Sequence, residues 1–275
     1  MSFIDIQSLR LGYGGMDDTQ LVLDGIDLKV EEGDFAAIVG PSGCGKSTFM
    51  KLLSGLLIPQ EGSVMLDGEP VNGPRAQVGM AFQNAIMLPW RTTLENVLLP
   101  LEVAPATKKD FRKRRAQYRR RGEELLAAVG LKGMGDKYPW QLSGGMRQRA
   151  SLCRALIHEP KLLLLDEPFG ALDAFTREEL WNVLQALWQQ QKFTVVLVTH
   201  DLTEAVYLSN TVYVMSARPG KIIVKRDIDF ERPRTLDSRY QPEFVSAVHE
   251  LREHIRSARA EDGSSSIGSL QEASS

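Results

Sequence analysis

Residues 40–48 read GPSGCGKST, which matches G-x-x-x-x-G-K-[ST], and they lie between a short apolar stretch, FAAIVG, and a helical one, STFMKLLSGL. That context narrows the choice of fold more than any other feature of the chain, because the motif demands a strand before it and a helix after it. Gly40, Gly43 and Gly45 let the backbone turn sharply and aim its N–H groups inward. The helix start that follows adds partial positive charge, so the loop as a whole suits a polyphosphate. Lys46 supplies a point charge for terminal phosphates and Ser47 a hydroxyl for Mg²⁺. Pro41, Ser42, Cys44 and Thr48 complete the loop that would line the nucleotide. The alternative, a glycine-rich turn with an exposed lysine, does not require every position of the spacing to be met.

Downstream, residues 161–168 read KLLLLDEP. Asp166 ends a buried apolar strand, where a carboxylate can hold the shell of a magnesium ion. Glu167 follows directly. Successive side chains on a strand face opposite ways, but Pro168 ends the strand, so both acids can reach one crevice. Glu167 is then placed to polarise an attacking water. Taken alone, an acidic pair after an apolar strand is more often a solvated strand end.

The remaining organisation follows from periodicity. Residues 2–6 and 21–30 alternate apolar and polar, with a slip near Asp24–Gly25, and read as half-buried strands. Residues 63–67 and 78–82 read as further strands, about 94–129 as helical, 145–158 as a helix ended by Pro160, and about 176–191 as another. TVVLVTHD is a second buried strand. Buried strands alternating with helices imply a parallel sheet covered on both faces. The expected class is therefore α/β, with an antiparallel edge from the N-terminus and a helical insertion. The expected division is a nucleotide-binding domain over 1–260, with a helical subdomain at about 95–150 and an extension at about 227–260. The Ser-rich stretch 261–275 is expected to be disordered.

Composition excludes several classes. Hydrophobic residues make up 43% and charged residues 25% of 275, as in ordinary globular proteins. A net charge of -2 gives no overall field toward nucleic acid. Cys44 and Cys153 do not form a disulfide framework and suit a reducing compartment. No apolar run approaches the roughly 20 residues of a membrane span. The start of the chain lacks the pattern of a signal peptide, so any link to a membrane is expected to go through a partner.

Residues 142–149, LSGGMRQR, place a serine and two glycines before a long helix, a second anion-binding helix start. One nucleotide does not need two such starts in one chain; a second copy could supply its own to the first copy's nucleotide.

With FQ at 82–83, ALD at 171–173 and TH at 199–200, these motifs occur in the order of the ABC transporter nucleotide-binding domain, which the chain resembles over residues 2–226. The resemblance implies a P-loop NTPase (RecA-like) core, ATP as ligand with Mg²⁺, and ATP hydrolysis. It implies that Tyr13 stacks on adenine, Gln83 senses Mg²⁺ and the attacking water, and His200 contacts the γ-phosphate. Ser143, Gly144 and Gly145 would cap the γ-phosphate held by the opposite chain, and Asp173 would sit at the seam of a homodimer. Met146 stands where the common signature has glutamine and marks a subfamily.

Three stretches, GPRAQVGMAFQ (73–83), NAIMLPWRTTLENV (84–97) and RPGKIIVKRDIDFERPR (218–234), resemble the branch serving nitrate, sulfonate and taurine import. That implies integral membrane permease subunits, an external solute-binding protein, no nucleic acid, and a place on the cytoplasmic face of the inner membrane. Leu88, Pro89 and Trp90 would lie near the groove that receives a permease helix, or else pack on the chain's own helical insertion. The basic run at 108–121 is either a solvated helix face or a surface for anionic headgroups. Bicarbonate, pyrimidine precursors and aromatic acids stand beside the sulfonates as solutes. A transport-independent ABC ATPase and a non-hydrolysing subunit are the competing functional classes.

Overall fold

The computed structural model describes residues 2–13 and 20–272, with side chains as far as Ala258. The chain divides into two units, Met1–Pro74 with Leu197–Ser275, and Arg75–Val196.

In the first unit, β1 (Ser2–Tyr13) runs antiparallel to β2 (Gln20–Glu31). The expected alternation holds in part: Ile4, Ile6, Leu9 and Leu11 on one strand and Leu23, Ile26, Leu28 and Val30 on the other are buried, but Phe3 and Val22 are buried beside them and Leu21, expected on the inward face, is only half-buried. The slip near Asp24–Gly25 is a bulge. Leu9 pairs with Ile26 but Leu11 pairs with Leu23, so β2 carries one extra residue there, with Gly25 at φ 62. Next come β3 (Phe35–Val39), wholly buried, and α1 (Lys46–Leu53). Two further strands, β4 (Glu61–Leu66) and β5 (Glu69–Pro70), complete an antiparallel sheet in the order β2-β1-β4-β5.

The second unit opens with β6 (Val78–Ala81). A helical block follows: α2 (Thr93–Val103), α3 (Pro105–Phe111), α4 (Arg115–Ala128) and α5 (Gly144–Leu156). The stretch read as continuously helical is broken by Ala104, extended at ψ 131, with Pro105 opening α3. Then come β7 (Leu162–Asp166), parallel to β6, and α6 (Ala174–Gln191). Leu162, Leu163, Leu164 and Leu165 are all 0% exposed. A strand buried on both faces needs an unbroken apolar run, and each such leucine contributes about 1.5–3 kcal/mol of burial.

The strand β8 (Thr194–Val198) carries the chain back to the first unit, where the Thr199 N–H donates to Ile38 O at 3.2 Å. There α7 (Leu202–Leu208) leads to β9 (Thr211–Met215), parallel to β3, and β10 (Ile222–Asp227) returns antiparallel to β9. The chain ends in α8 (Pro242–Glu272). Its described backbone reaches residue 272, inside the Ser-rich stretch. Parallel strand pairs joined through helices, beside a separate antiparallel sheet, make this an α/β fold of the P-loop NTPase kind.

Candidate functional site

In the first unit, the loop after β3 is shaped by steric necessity. A Cβ on Gly40 would meet Met215 O at 2.6 Å, and one on Gly45, at φ 102, would meet Leu23 Cδ2 at 2.7 Å. The loop can follow this path only with glycine at both positions. No side chain caps the start of α1. Lys46 is buried, and its ammonium folds back over the loop to donate to Gly40 O at 2.9 Å and Pro41 O at 2.8 Å. Burial pushes the Cys44 thiol up, so it stands neutral beside that ammonium. An uncapped helix start and an internally held cation together form a donor set that fits a polyphosphate.

Also in this unit, Tyr13 ends β1 opposite Gln20, with half its surface exposed. The rest of its loop, residues 14–19, lies outside the described residues. His200 is exposed and sits between two fixed neighbours. Thr199 is buried, and its hydroxyl accepts from the Asp201 N–H at 3.0 Å. The Asp201 carboxylate caps α7 by accepting from Thr203 N at 2.9 Å and Glu204 N at 3.1 Å.

The far end of α7 is closed by two arginines that sequence reading passed over. Arg234 donates to Val206 O at 2.7 Å, Tyr207 O at 3.1 Å, Ser209 O at 2.7 Å and Ile228 O at 2.9 Å. Arg232 donates to Leu208 O at 2.7 Å. Burial, then the charge of Arg232, pushes the Arg234 guanidinium down to about 9. Cations at a helix C-terminus satisfy its orphan carbonyls and complement its dipole. The signal was present in the sequence as ERPR inside a branch motif, without any indication of what it binds.

In the second unit, Asp166 ends β7, nearly buried, and Glu167 turns out of the strand at φ 47. A left-handed glutamate is strained by roughly 1–3 kcal/mol, and such strain gathers at functional sites. The turn replaces strand alternation with a kink that frees Glu167 from the strand face. Its carboxylate accepts from Gln83 Nε2 at 3.1 Å, so the structure brings these two predicted residues together.

The signature serine caps its own helix: Ser143 Oγ accepts from Met146 N at 3.2 Å. Gly144 is exposed, and a Cβ on Gly145 would meet Leu172 Cδ2 at 2.9 Å. Asp173 caps α6 by accepting from Thr176 N at 3.0 Å. That N–H and the Thr176 side chain hold its carboxyl below the usual range.

Two buried polar residues in this unit were also missed. Gln148, within the signature, donates to Phe82 O at 3.0 Å and so links α5 to the residue before Gln83. Asn96 is fully buried; it accepts from Leu88 N at 2.7 Å and donates to Leu88 O, Arg91 O and Thr92 O. It pins a loop that leaves Ile86 74% and Trp90 71% exposed.

A family model described as ABC transporter matches residues 23–170, more than half of the chain. The chain belongs to the ABC transporter family. It is an ATP-binding cassette of the ATPase kind. An uncharacterized ABC transporter ATP-binding protein of Methanocaldococcus jannaschii is 48% identical over 212 residues, covering 77% of each chain. An aliphatic sulfonates import ATP-binding protein of Bacillus licheniformis is 44% identical, covering 78% of this chain and 81% of its own. Among solved structures, a dimeric ATP-binding cassette in a post-hydrolysis state, bound to ADP and Pi, superposes with TM-score 0.71 at 29% identity. That match covers 83% of this chain and all of the other.

Proposed function

We propose that this cassette is the motor subunit of an importer for a small organic anion, a sulfonate being the favoured solute. Two copies would close on ATP, the phosphate loop of one gripping a nucleotide that the signature start of the other covers. Tyr13 stacks on adenine. Residues 40–48 wrap the phosphates, with Lys46 on the terminal ones. His200 contacts the γ-phosphate, and Ser143, Gly144 and Gly145 meet it from the opposite copy. Ser47, Gln83 and Asp166 would hold Mg²⁺, which when bound neutralises charge on the phosphate oxygens.

The observation that carries this reading is the Gln83–Glu167 hydrogen bond at 3.1 Å. One Glu167 oxygen accepts from the Gln83 amide, which fixes the direction of the carboxylate. A carboxylate aimed in this way would act as the general base toward an attacking water. Because Gln83 also opens the loop pinned by Asn96, a change at that loop alters the aim of the base.

Membrane subunits would dock on this second unit. Support comes from exposed Ile86 and Trp90 and from a groove of about 330 Å³ lined by Met80, Val103, Ala104, Thr107 and His158. Through them the cassette would sit on the cytoplasmic face of the membrane, with a solute-binding protein outside. The sulfonate choice is supported by the names of relatives at 40–44% identity.

The test is Glu167→Gln with Mg·ATP, followed by light scattering and phosphate release. Turnover is expected to fall by about 10²–10⁴ while a stable dimer accumulates. Turnover at the parent rate would remove Glu167 as the base, and a persistent monomer would remove the shared nucleotide.

A further inference from the structure

Residues 108–121 carry nine lysines and arginines against one acid, in a chain whose net charge is -2. The rest of the molecule is correspondingly acidic, so this charge is a local pole and not part of a general basic surface. α3 buries no residue at all, and α4 buries only Gly122, Leu125 and Leu126. Of the nine cations, only Arg120 and Arg121 have ion-pair partners among the described residues, Glu124 and Glu159. The others spend no charge on the fold. Within the run, Phe111 and Tyr118 stack on each other at 5.8 Å.

We infer that this pole is a docking surface for the anionic headgroups of a lipid bilayer. Three observations select lipid over other polyanions. The two rings of the run are stacked on each other and offer no separate platforms for bases, which single-stranded nucleic acid requires. Long, flexible cations flanking an aromatic pair match the composition of interfacial segments. The run is also continuous with the groove proposed above for the membrane subunit: Ala106 and Thr107 line that groove, and Lys108 is the next residue. A permease element seated there brings the basic pole toward the bilayer, so the inference rests on the motor reading.

Attraction of this kind is additive per cation and decays within a Debye length. Contact with lipid would therefore orient the cassette under its permease and make its engagement depend on the anionic fraction of the leaflet.

The full-length chain is to be sedimented with vesicles of pure phosphatidylcholine and of roughly 3:1 phosphatidylcholine to phosphatidylglycerol. Binding is expected to the anionic vesicles alone and to vanish at high salt. Changing Lys108, Lys109, Arg112 and Lys113 together to Gln should weaken it about fivefold per cation, several hundredfold in all, and leave ATPase turnover in solution unchanged. Equal binding by parent and quadruple variant overturns the inference. Equal binding to both vesicles does so too, as does capture by RNA without capture by anionic vesicles. Failure of vesicle binding while Glu167→Gln still traps a dimer sinks the lipid surface alone. The reverse pattern sinks the motor reading.

Discussion

The helix starts of α1 and α5 look alike in sequence, each opened by small residues and glycine, yet the structure finishes them differently. α1 has no side-chain cap, and a buried lysine lies folded over the loop before it. The start of α5 is already capped by Ser143, and Ser143 and Gly144 lie exposed. The first is a loop and helix start whose lysine is held by the loop's own carbonyls and has no side-chain cap in front of it. The second has satisfied part of its own need and presents a smooth, glycine-lined face. α6 and α7 go further in the same direction, each closed by an aspartate. α3 and α4 also start without a side-chain cap, so an open start is not enough by itself; α1 differs in following a glycine-shaped loop with a buried lysine folded over it, and that combination is the guide to where a polyphosphate binds.

The sharpest way to break that contrast is Lys46→Ala. It removes the cation held by Gly40 O and Pro41 O and should weaken ATP binding by about 1.5–3 kcal/mol, roughly ten- to a hundredfold in Kd by calorimetry. Unchanged affinity would mean that the open start alone binds phosphate. The opposite case is a closed helix end. Arg234→Met strips donors from four carbonyls around the C-terminus of α7. Stability should fall by about 1–3 kcal/mol, and Tm by about 2–4 °C for each. Nucleotide affinity should hold, because the loss lies at the end of α7 away from His200. A drop in affinity without a drop in Tm would contradict this division.

How much of this was legible follows the range of each interaction. The phosphate loop, the apolar strands and the bulge at Gly25 could be read because each is set by neighbours a few residues away. Glu167 could be named, but not its left-handed turn, since periodicity predicts only alternation and says nothing of φ after the strand. Gln148, Asn96 and Arg234 were illegible as structural ties. Their types suit solvent, and only the partners, Phe82 for Gln148 and the end of α7 for Arg234, explain why they are buried. The signal that could have found Gln148 is its place on the inward stripe of α5 with Leu152 and Ala155, where a glutamine must have a partner.

Ser143→Ala tests the second start directly. Losing the bond to Met146 N should cost about 1 kcal/mol of helix stability. If the nucleotide is shared between two copies as proposed, its effect on ATP binding by a single copy should be nil while turnover should fall. Measuring Kd at a protein concentration too low for dimers, and turnover as a function of protein concentration, separates the two. If Kd shifts as it does for Lys46→Ala, the two starts serve one nucleotide within one chain and the contrast between them is lost.

The smallest effect distinguishes a charged cap from a neutral one. Asp173 closes α6 as a carboxylate, held below the usual range first by the Thr176 N–H. A group whose pKa is depressed in the folded state lends stability above its unfolded value and loses it as pH falls through the folded one. The Asp173 contribution should thus be complete above about pH 4 and decline below it. Ser143, being a hydroxyl, has no such dependence. Asp173→Asn keeps an oxygen at the cap without the titration, so its unfolding curve should match the parent in neutral solution and lose less on acidification. Parallel acid limbs for the two proteins would show that the charge adds nothing to the cap, leaving α6 closed by geometry alone, as α5 is.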